Sequence, residues 1–190
     1  VAEFSDELAS FTGAPYVVLT DCCTHAIELC LRYKKVKQTA FPCRTYLSVP
    51  MTMEKLGIKY ELLNKRWLGE YEFEGTGIWD CARMLIRNMY RPGSMMCLSF
   101  GFDKPLSLGR GGAILLDDKE AYETLRSMGY DGRRIEITPW QEQIVFNVGY
   151  HYNMILENQI LGAELIKTQG DVISHKKYPD LRKISIVNDS

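Results

Sequence analysis

Met95-Met96-Cys97-Leu98-Ser99-Phe100-Gly101-Phe102-Asp103-Lys104, followed after four residues by Gly109-Arg110-Gly111-Gly112-Ala113-Ile114-Leu115-Leu116, reads as strand, exposed turn, strand. Each apolar run is short and bounded by glycine or polar residues, the pattern of strands buried on both faces. A lone lysine lies between them. A lysine just past the end of a buried strand loses hydration, which favours its neutral amine. A neutral amine is a nucleophile and forms Schiff bases with aldehydes. The same lysine in a glycine-rich turn also fits a solvated surface residue, and the glycines alone fit an ordinary tight turn.

Outward from this stretch, helical and strand patterns alternate. Asp6 to Thr12 is a predicted helix that stops at Gly13. Tyr16 to Leu19 is a buried strand, and Thr24 to Tyr33 a helix with Ala26, Ile27, Cys30 and Leu31 on one face. Ala40-Phe41 is a brief strand broken by Pro42. Ser48 to Leu56 is a helix closed by Gly57, and Lys59 to Leu63 a strand. Asn64 to Glu74 has weak periodicity and reads as irregular or as a short hairpin. Ile78-Trp79 leads into Asp80 as a strand ending on a carboxylate. Lys119 to Met128 is an amphipathic helix, Arg133 to Trp140 a loop, and Met154 to Thr168 a long helix. The chain from His175 onward has little pattern and is expected to be loosely held. This alternation predicts an α/β fold, a three-layer α/β/α sandwich with a mostly parallel sheet. Ligands bind such sheets at the carboxyl ends of strands. Cys22 to Thr24, Asp80 and Ser99 to Lys104 all fall at such ends.

With 190 residues and a formal net charge of −1, the chain suits one domain and lacks the basic stripe of a nucleic-acid binder. Its apolar runs are too short to span a membrane, and its first residues are not a secretory signal. The six cysteines form no C-x-x-C pair and the three histidines are scattered, so no zinc site is expected. Buried thiols in a reducing cytoplasm account for the cysteines. Cys22-Cys23 opens a helix, where a thiol can become acidic.

Five motifs in order resemble those of the DegT/DnrJ/StrS-type sugar aminotransferases, fold-type I enzymes that use pyridoxal phosphate. The family's Ser-Phe-x-x-x-Lys and Gly-Glu-Gly-Gly are similar to Ser99-Phe100-x-x-x-Lys104 and Gly109-Arg110-Gly111-Gly112. Its Ser-Gly-Thr-x-Ala-Leu resembles Cys22-Cys23-Thr24-His25-Ala26-Ile27, and its Pro-x-x-Thr-Tyr/Phe resembles Pro42-Cys43-Arg44-Thr45-Tyr46. Its Asp-x-Ala-Gln is similar to Asp80-Cys81-Ala82-Arg83, and its Gly-Tyr/Phe-Asn-Tyr-Arg-Met to Gly149-Tyr150-His151-Tyr152-Asn153-Met154. The likeness runs from about residue 4 to 168. It implies a shortened large domain over residues 1–170 and a tail over 171–190, without the family's small C-terminal domain.

The resemblance implies an aminotransferase using pyridoxal 5'-phosphate, a nucleotide-linked keto-sugar substrate, an amino-acid donor such as glutamate, a homodimer and a cytoplasmic location. Lys104 would carry the cofactor as a Schiff base and move protons on the substrate carbon. Asp80 would pair with the pyridine nitrogen; the residues alone equally allow a helix cap. Thr24 and the Cys23 and Thr24 amides would hold the phosphate, with Ser99 adding a hydroxyl; an ordinary N-cap is the alternative. Tyr46 would stack on the ring or be a core aromatic. Arg83, where the family has glutamine, would donate to the phenolic oxygen. Cys23, Arg110, His151 and Asn153 also depart from the family pattern, so a catalytically impaired relic serving as a binding or assembly module is the rival expectation.

Overall fold

The computed structural model describes residues 3–134 and 139–187. The first helix, α1 (Phe4–Thr12), ends where Gly13 adopts a left-handed conformation at φ 77°, a backbone state that costs glycine nothing. Strand β1 (Tyr16–Thr20) and helix α2 (Cys23–Tyr33) follow. Then come β2 (Gln38–Pro42), α3 (Ser48–Leu56) and β3 (Lys59–Leu63). The short strands β4 (Tyr71–Phe73), β5 (Ile78–Asp80) and β6 (Met84–Leu85) precede β7 (Met95–Ser99) and β8 (Gly112–Leu116). Helices α4 (Lys119–Met128) and α5 (Leu156–Leu165) and the strand β9 (Val172–Ile173) complete the order.

The five-stranded sheet runs β1-β8-β7-β5-β4. Its central strands alternate between two cores. Met95, Cys97, Ile114 and Leu116 face α2, α3 and α4. Met96, Leu98, Ala113 and Leu115 face α1 and α5. These eight residues are at most 6% exposed, and each larger one contributes about 1.5–3 kcal/mol by leaving water. A strand apolar on both faces therefore needs a helical layer on each side, which makes the three-layer sandwich expected from the sequence.

The sheet is mixed, a correction to the mostly parallel sheet expected. Only β5 and β7 pair in parallel within it; β1–β8, β8–β7 and β5–β4 are antiparallel. The reason is the connections. A parallel neighbour requires a crossover, whereas β4 reaches β5 through a four-residue turn (residues 74–77) and β7 reaches β8 through a loop that contains no helix. The crossover of β2-α3-β3 does produce a parallel pair, in a separate two-stranded sheet. Pro42 ends β2 rather than breaking it, because the ladder bond passes to the next amide, Cys43 N–H to Leu63 O at 2.8 Å. The segment read as irregular or as a short hairpin supplies β4, which forms a hairpin with β5. The loop expected over Arg133 to Trp140 lies partly outside the described residues.

The tail is docked, not loose. β9 pairs with β6, Leu181 N–H donates to Cys43 O at 2.9 Å, and Tyr178 and Leu181 are buried. These bonds involve backbone and single side chains, which leave no periodic sequence signal. Among the described residues no helix is long and apolar enough to cross a membrane.

Helix α5 meets α1 at Gly162, where a Cβ would sit 2.6 Å from Cε1 of Phe4. Phe4 is itself packed against Phe100 and has little room to yield. Gly162→Ala is expected to destabilise the chain by about 1–3 kcal/mol, read as a lower urea midpoint with an unchanged m-value.

Candidate active site

A cavity of about 500 Å³ opens where the carboxyl ends of β5 and β7 face the first turns of α2 and α3. All seven residues picked from the sequence line it: Cys23, Thr24, Tyr46, Asp80, Arg83, Ser99 and Lys104. The cavity forms because β8 begins with Gly112. A Cβ there would lie 2.4 Å from the Cys22 carbonyl carbon and 2.5 Å from the Cys23 nitrogen, so only glycine lets α2 start this close to the sheet.

Asp80 ends β5 and is buried. Its Oδ2 accepts from the Tyr71 hydroxyl at 2.9 Å and its Oδ1 from the Ala82 amide at 2.9 Å. Tyr71 in turn shares a 2.7 Å hydrogen bond with the Thr45 hydroxyl. Burial raises the Asp80 carboxyl above its ordinary range, opposed by the Ala82 and Tyr71 bonds and then by the Lys104 and Arg83 charges. Among the described residues no side chain forms an ion pair with Asp80. It is therefore a desolvated carboxylate with room for a cationic partner.

Lys104 follows a tight turn closed by its own amide on Gly101 O at 3.2 Å. Its side chain is 14% exposed and its Nζ lies 3.8 Å from Asp103 Oδ1. Burial first, and the Arg83 charge second, lower its pKa; Asp103 and Asp80 oppose them. The strand-end lysine thus has the depressed basicity read from the sequence.

Arg83 lines the cavity and bonds within the protein. Its Nη1 donates to Asp103 O at 3.0 Å, its Nη2 to Asp103 Oδ2 at 2.9 Å, and Nε and Nη2 to the Tyr178 hydroxyl at 3.3 and 3.1 Å. Lys176 joins the same carboxylate at 2.9 Å. Arg83 and Lys176 hold the Asp103 carboxyl well below its usual range. The guanidinium ties the lysine turn to the docked tail, a fixture that sequence reading missed because Tyr178 and Lys176 lie in a stretch without pattern.

At the other end of the cavity, Cys22 precedes α2 with no side-chain cap bond. The Thr24 and Ser48 hydroxyls, at the starts of α2 and α3, lie 2.7 Å apart. Helix-start amides without a side-chain cap, together with two hydroxyls, are the groups that can cradle an anion. Cys23 is buried with its thiol pushed well up by burial, so its backbone and not its sulfur serves that cradle. Ser99 Oγ accepts from the Gly101 amide at 3.3 Å. Tyr46 is 59% exposed and lines the cavity, so it is not a core aromatic. His25 shares a 2.7 Å hydrogen bond between Nδ1 and Asp21 Oδ1 and stacks on Tyr152 with centroids 3.6 Å apart. Although burial opposes its charge, bonding to Asp21 and Cys22 raises His25 to about 9. Arg110, in the glycine turn, donates to Asp21 Oδ2 at 3.1 Å. His151 lies away from this cavity and pairs with Asp131 at 3.1 Å.

A second cavity, of about 670 Å³, adjoins the first and shares Trp67, Lys176 and Tyr178 with it. Arg44, Lys65, Arg66, His175 and Lys177 also line it, and no carboxylate does. Trp67 stacks on Tyr178 with centroids 6.2 Å apart.

Residues 86–169 match the DegT/DnrJ/EryC1/StrS aminotransferase family. No curated protein sequence matches the chain. Among solved structures, a sugar aminotransferase from Micromonospora echinospora is similar in fold, with a TM-score of 0.69 at 17% identity over 86% of this chain and 60% of that one. NtdA from Bacillus subtilis, solved with bound cofactor PMP, gives 0.70 at 16% identity over 86% and 47%. 3-Amino-5-hydroxybenzoic acid synthase gives 0.64 at 20% over 87% and 54%. The chain shares the fold of these structures and spans about half their length.

Two outcomes follow from the hydrogen bonds and charges of the site. Tyr71→Phe removes the donor to Asp80 and the partner of Thr45, both buried, and should cost about 1–3 kcal/mol in a urea titration. His25 is raised in the folded chain, so its contribution is complete below the unfolded value near 6.5 and is lost as pH rises towards about 9. The melting temperature of the wild type should therefore fall over that window more than that of His25→Gln.

Proposed function

We propose that the chain is an aminotransferase that uses pyridoxal 5'-phosphate and transfers an amino group from an amino acid such as glutamate to a keto-sugar. One observation carries this reading. Lys104 and Asp80, both displaced from ordinary ionisation by burial, converge on one cavity whose other end is a helix-start anion cradle. An aldehyde-bearing, phosphorylated pyridine matches that set in chemical class: an amine for the aldehyde, a carboxylate for a ring cation, amides and hydroxyls for a phosphate. When bound, the cofactor supplies an electron sink for carbanion chemistry.

The chain's own residues do the rest. Lys104 Nζ binds the cofactor and, with its lowered pKa, accepts and returns a proton at the substrate carbon. Asp80, held by Tyr71 and Ala82, keeps its negative charge aimed into the cavity and favours a protonated ring nitrogen. Thr24, the Cys23 and Thr24 amides and Ser99 hold the phosphate end. Tyr46 at the mouth covers the ring face, and Arg83 fixes Asp103 and so the lysine turn. The adjoining cavity, cationic with a stacked aromatic pair, suits the diphosphate and base of a nucleotide-linked sugar. A homodimer is favoured by the apolar residues Leu156, Ile160, Leu161 and Leu165, exposed on α5. Six free thiols agree with a cytoplasmic setting.

Adding pyridoxal phosphate to the purified chain should produce a visible absorption band that Lys104→Ala lacks. Asp80→Ala should weaken cofactor affinity on the order of 100-fold by removing the buried charge partner. Glutamate should then bleach the wild-type band. A band that glutamate leaves unchanged supports the rival reading, a binding or assembly module that holds cofactor without turnover. No band at saturating cofactor rejects the aminotransferase reading and leaves the binding or assembly module.

A further inference from the structure

Beside the cofactor cradle stands a set of side chains that the proposed transamination does not use. Asp21, Cys22 and His25 each offer one ligand atom, and the three atoms lie within 4.8 Å of one another. They meet because β1 ends one residue before Asp21 and α2 begins one residue after Cys22, so His25 turns back over the junction. Cys22 is half-buried and borders the cavity, whereas the other five cysteines are buried.

We propose that Asp21, Cys22 and His25 form a binding site for one divalent, borderline-soft cation of the zinc class. A thiolate, an imidazole and a carboxylate are the ligand types such a cation takes, and three protein ligands with an open fourth position are the usual form of a reactive site. Cys22 and His25 line the cavity, from which water or an oxyanion would complete the tetrahedron. The ligands are held from outside. The Asp21 amide donates to Tyr152 O at 2.7 Å, and Arg110 occupies Asp21 Oδ2, leaving Oδ1 turned to His25. The Tyr152 ring fixes the imidazole plane, at 6° to its own. Thr20 Oγ1 donates to the Cys22 carbonyl at 2.9 Å. Such outer contacts orient ligands before the metal arrives. The sequence pattern Asp-Cys-x-x-His has no paired cysteines or histidines, which is why a search for zinc spacings passes over it.

The test is a cobalt titration of the purified chain, without added pyridoxal phosphate and at mildly alkaline pH, because bound protons must leave as the metal enters. The wild type should bind one equivalent, with a thiolate-to-cobalt charge-transfer band and intense tetrahedral d–d bands that zinc abolishes by displacement. Cys22→Ser should lose the charge-transfer band and weaken binding on the order of 100-fold or more, beyond the loss typical of an outer-shell change. His25→Gln should weaken binding while keeping that band, and Cys43→Ser should match the wild type. No thiolate band in the wild type would reduce the set to a hydrogen-bonded ion pair and overturn the proposal. A band that survives Cys22→Ser would place the metal elsewhere and overturn it equally. Because no cofactor is added, the outcome is separate from that of the transaminase reading.

Discussion

The approach of α2 to the first residue of β8 is the constraint on which the site depends. Gly112 has no Cβ to collide with the Cys22 carbonyl group, and the helix can therefore begin against the sheet rather than a layer away from it. That places the Cys23 and Thr24 amides over the same cavity that receives Lys104 from the loop joining β7 to β8. The neighbouring Gly111, at φ 155°, lies against Phe100 and Met154, so the loop returns to the sheet through two consecutive positions where a side chain would not fit. The geometry is backbone geometry, and no side-chain substitution elsewhere would restore it.

Desolvation then sets the chemistry. Burial pushes Asp80 and Lys104 towards their neutral forms while their mutual attraction pulls both back. Two groups poised in this way are responsive to a ligand that brings a charge or an aldehyde. Tyr71, Thr45 and the Ala82 amide hold the carboxylate without cancelling its charge. Arg83, locked to Asp103 and Tyr178, spends its donors on the scaffold. The arginine thereby links the lysine turn, the strand end of β5 and the docked tail into one unit, and the tail becomes a wall of both cavities.

How much of this was legible in the sequence depended on the kind of signal. Strands buried on two faces, glycine-closed helices and the amphipathic face of α2 leave local patterns, and those elements fell where expected, α3, β3 and α4 to the residue. Lys104, Asp80 and the Cys23-Thr24 turn were legible because each stands where an apolar run stops. Tyr71 was not, since an aromatic in a three-residue strand looks like any core residue until its hydroxyl is seen on Asp80. Tyr178 and Lys176 were not, because a tail bound through a few long-range contacts has no period. The parallel or antiparallel sense of each strand was also hidden, as it follows from which strands become neighbours.

The residue order alone sufficed for the α/β class, the two-sided burial of the central strands and the placing of Lys104 and Asp80 where apolar runs stop, because burial and periodicity are properties of short segments. Only the tertiary structure decided the mixed sheet, the capture of Arg83 by Asp103 and Tyr178, the docking of the tail, and the meeting of Asp21, Cys22 and His25 beside the cradle. These rest on distances between segments far apart in the chain, or on the angle at which a turn enters a helix, and neither is encoded in any local run of residues.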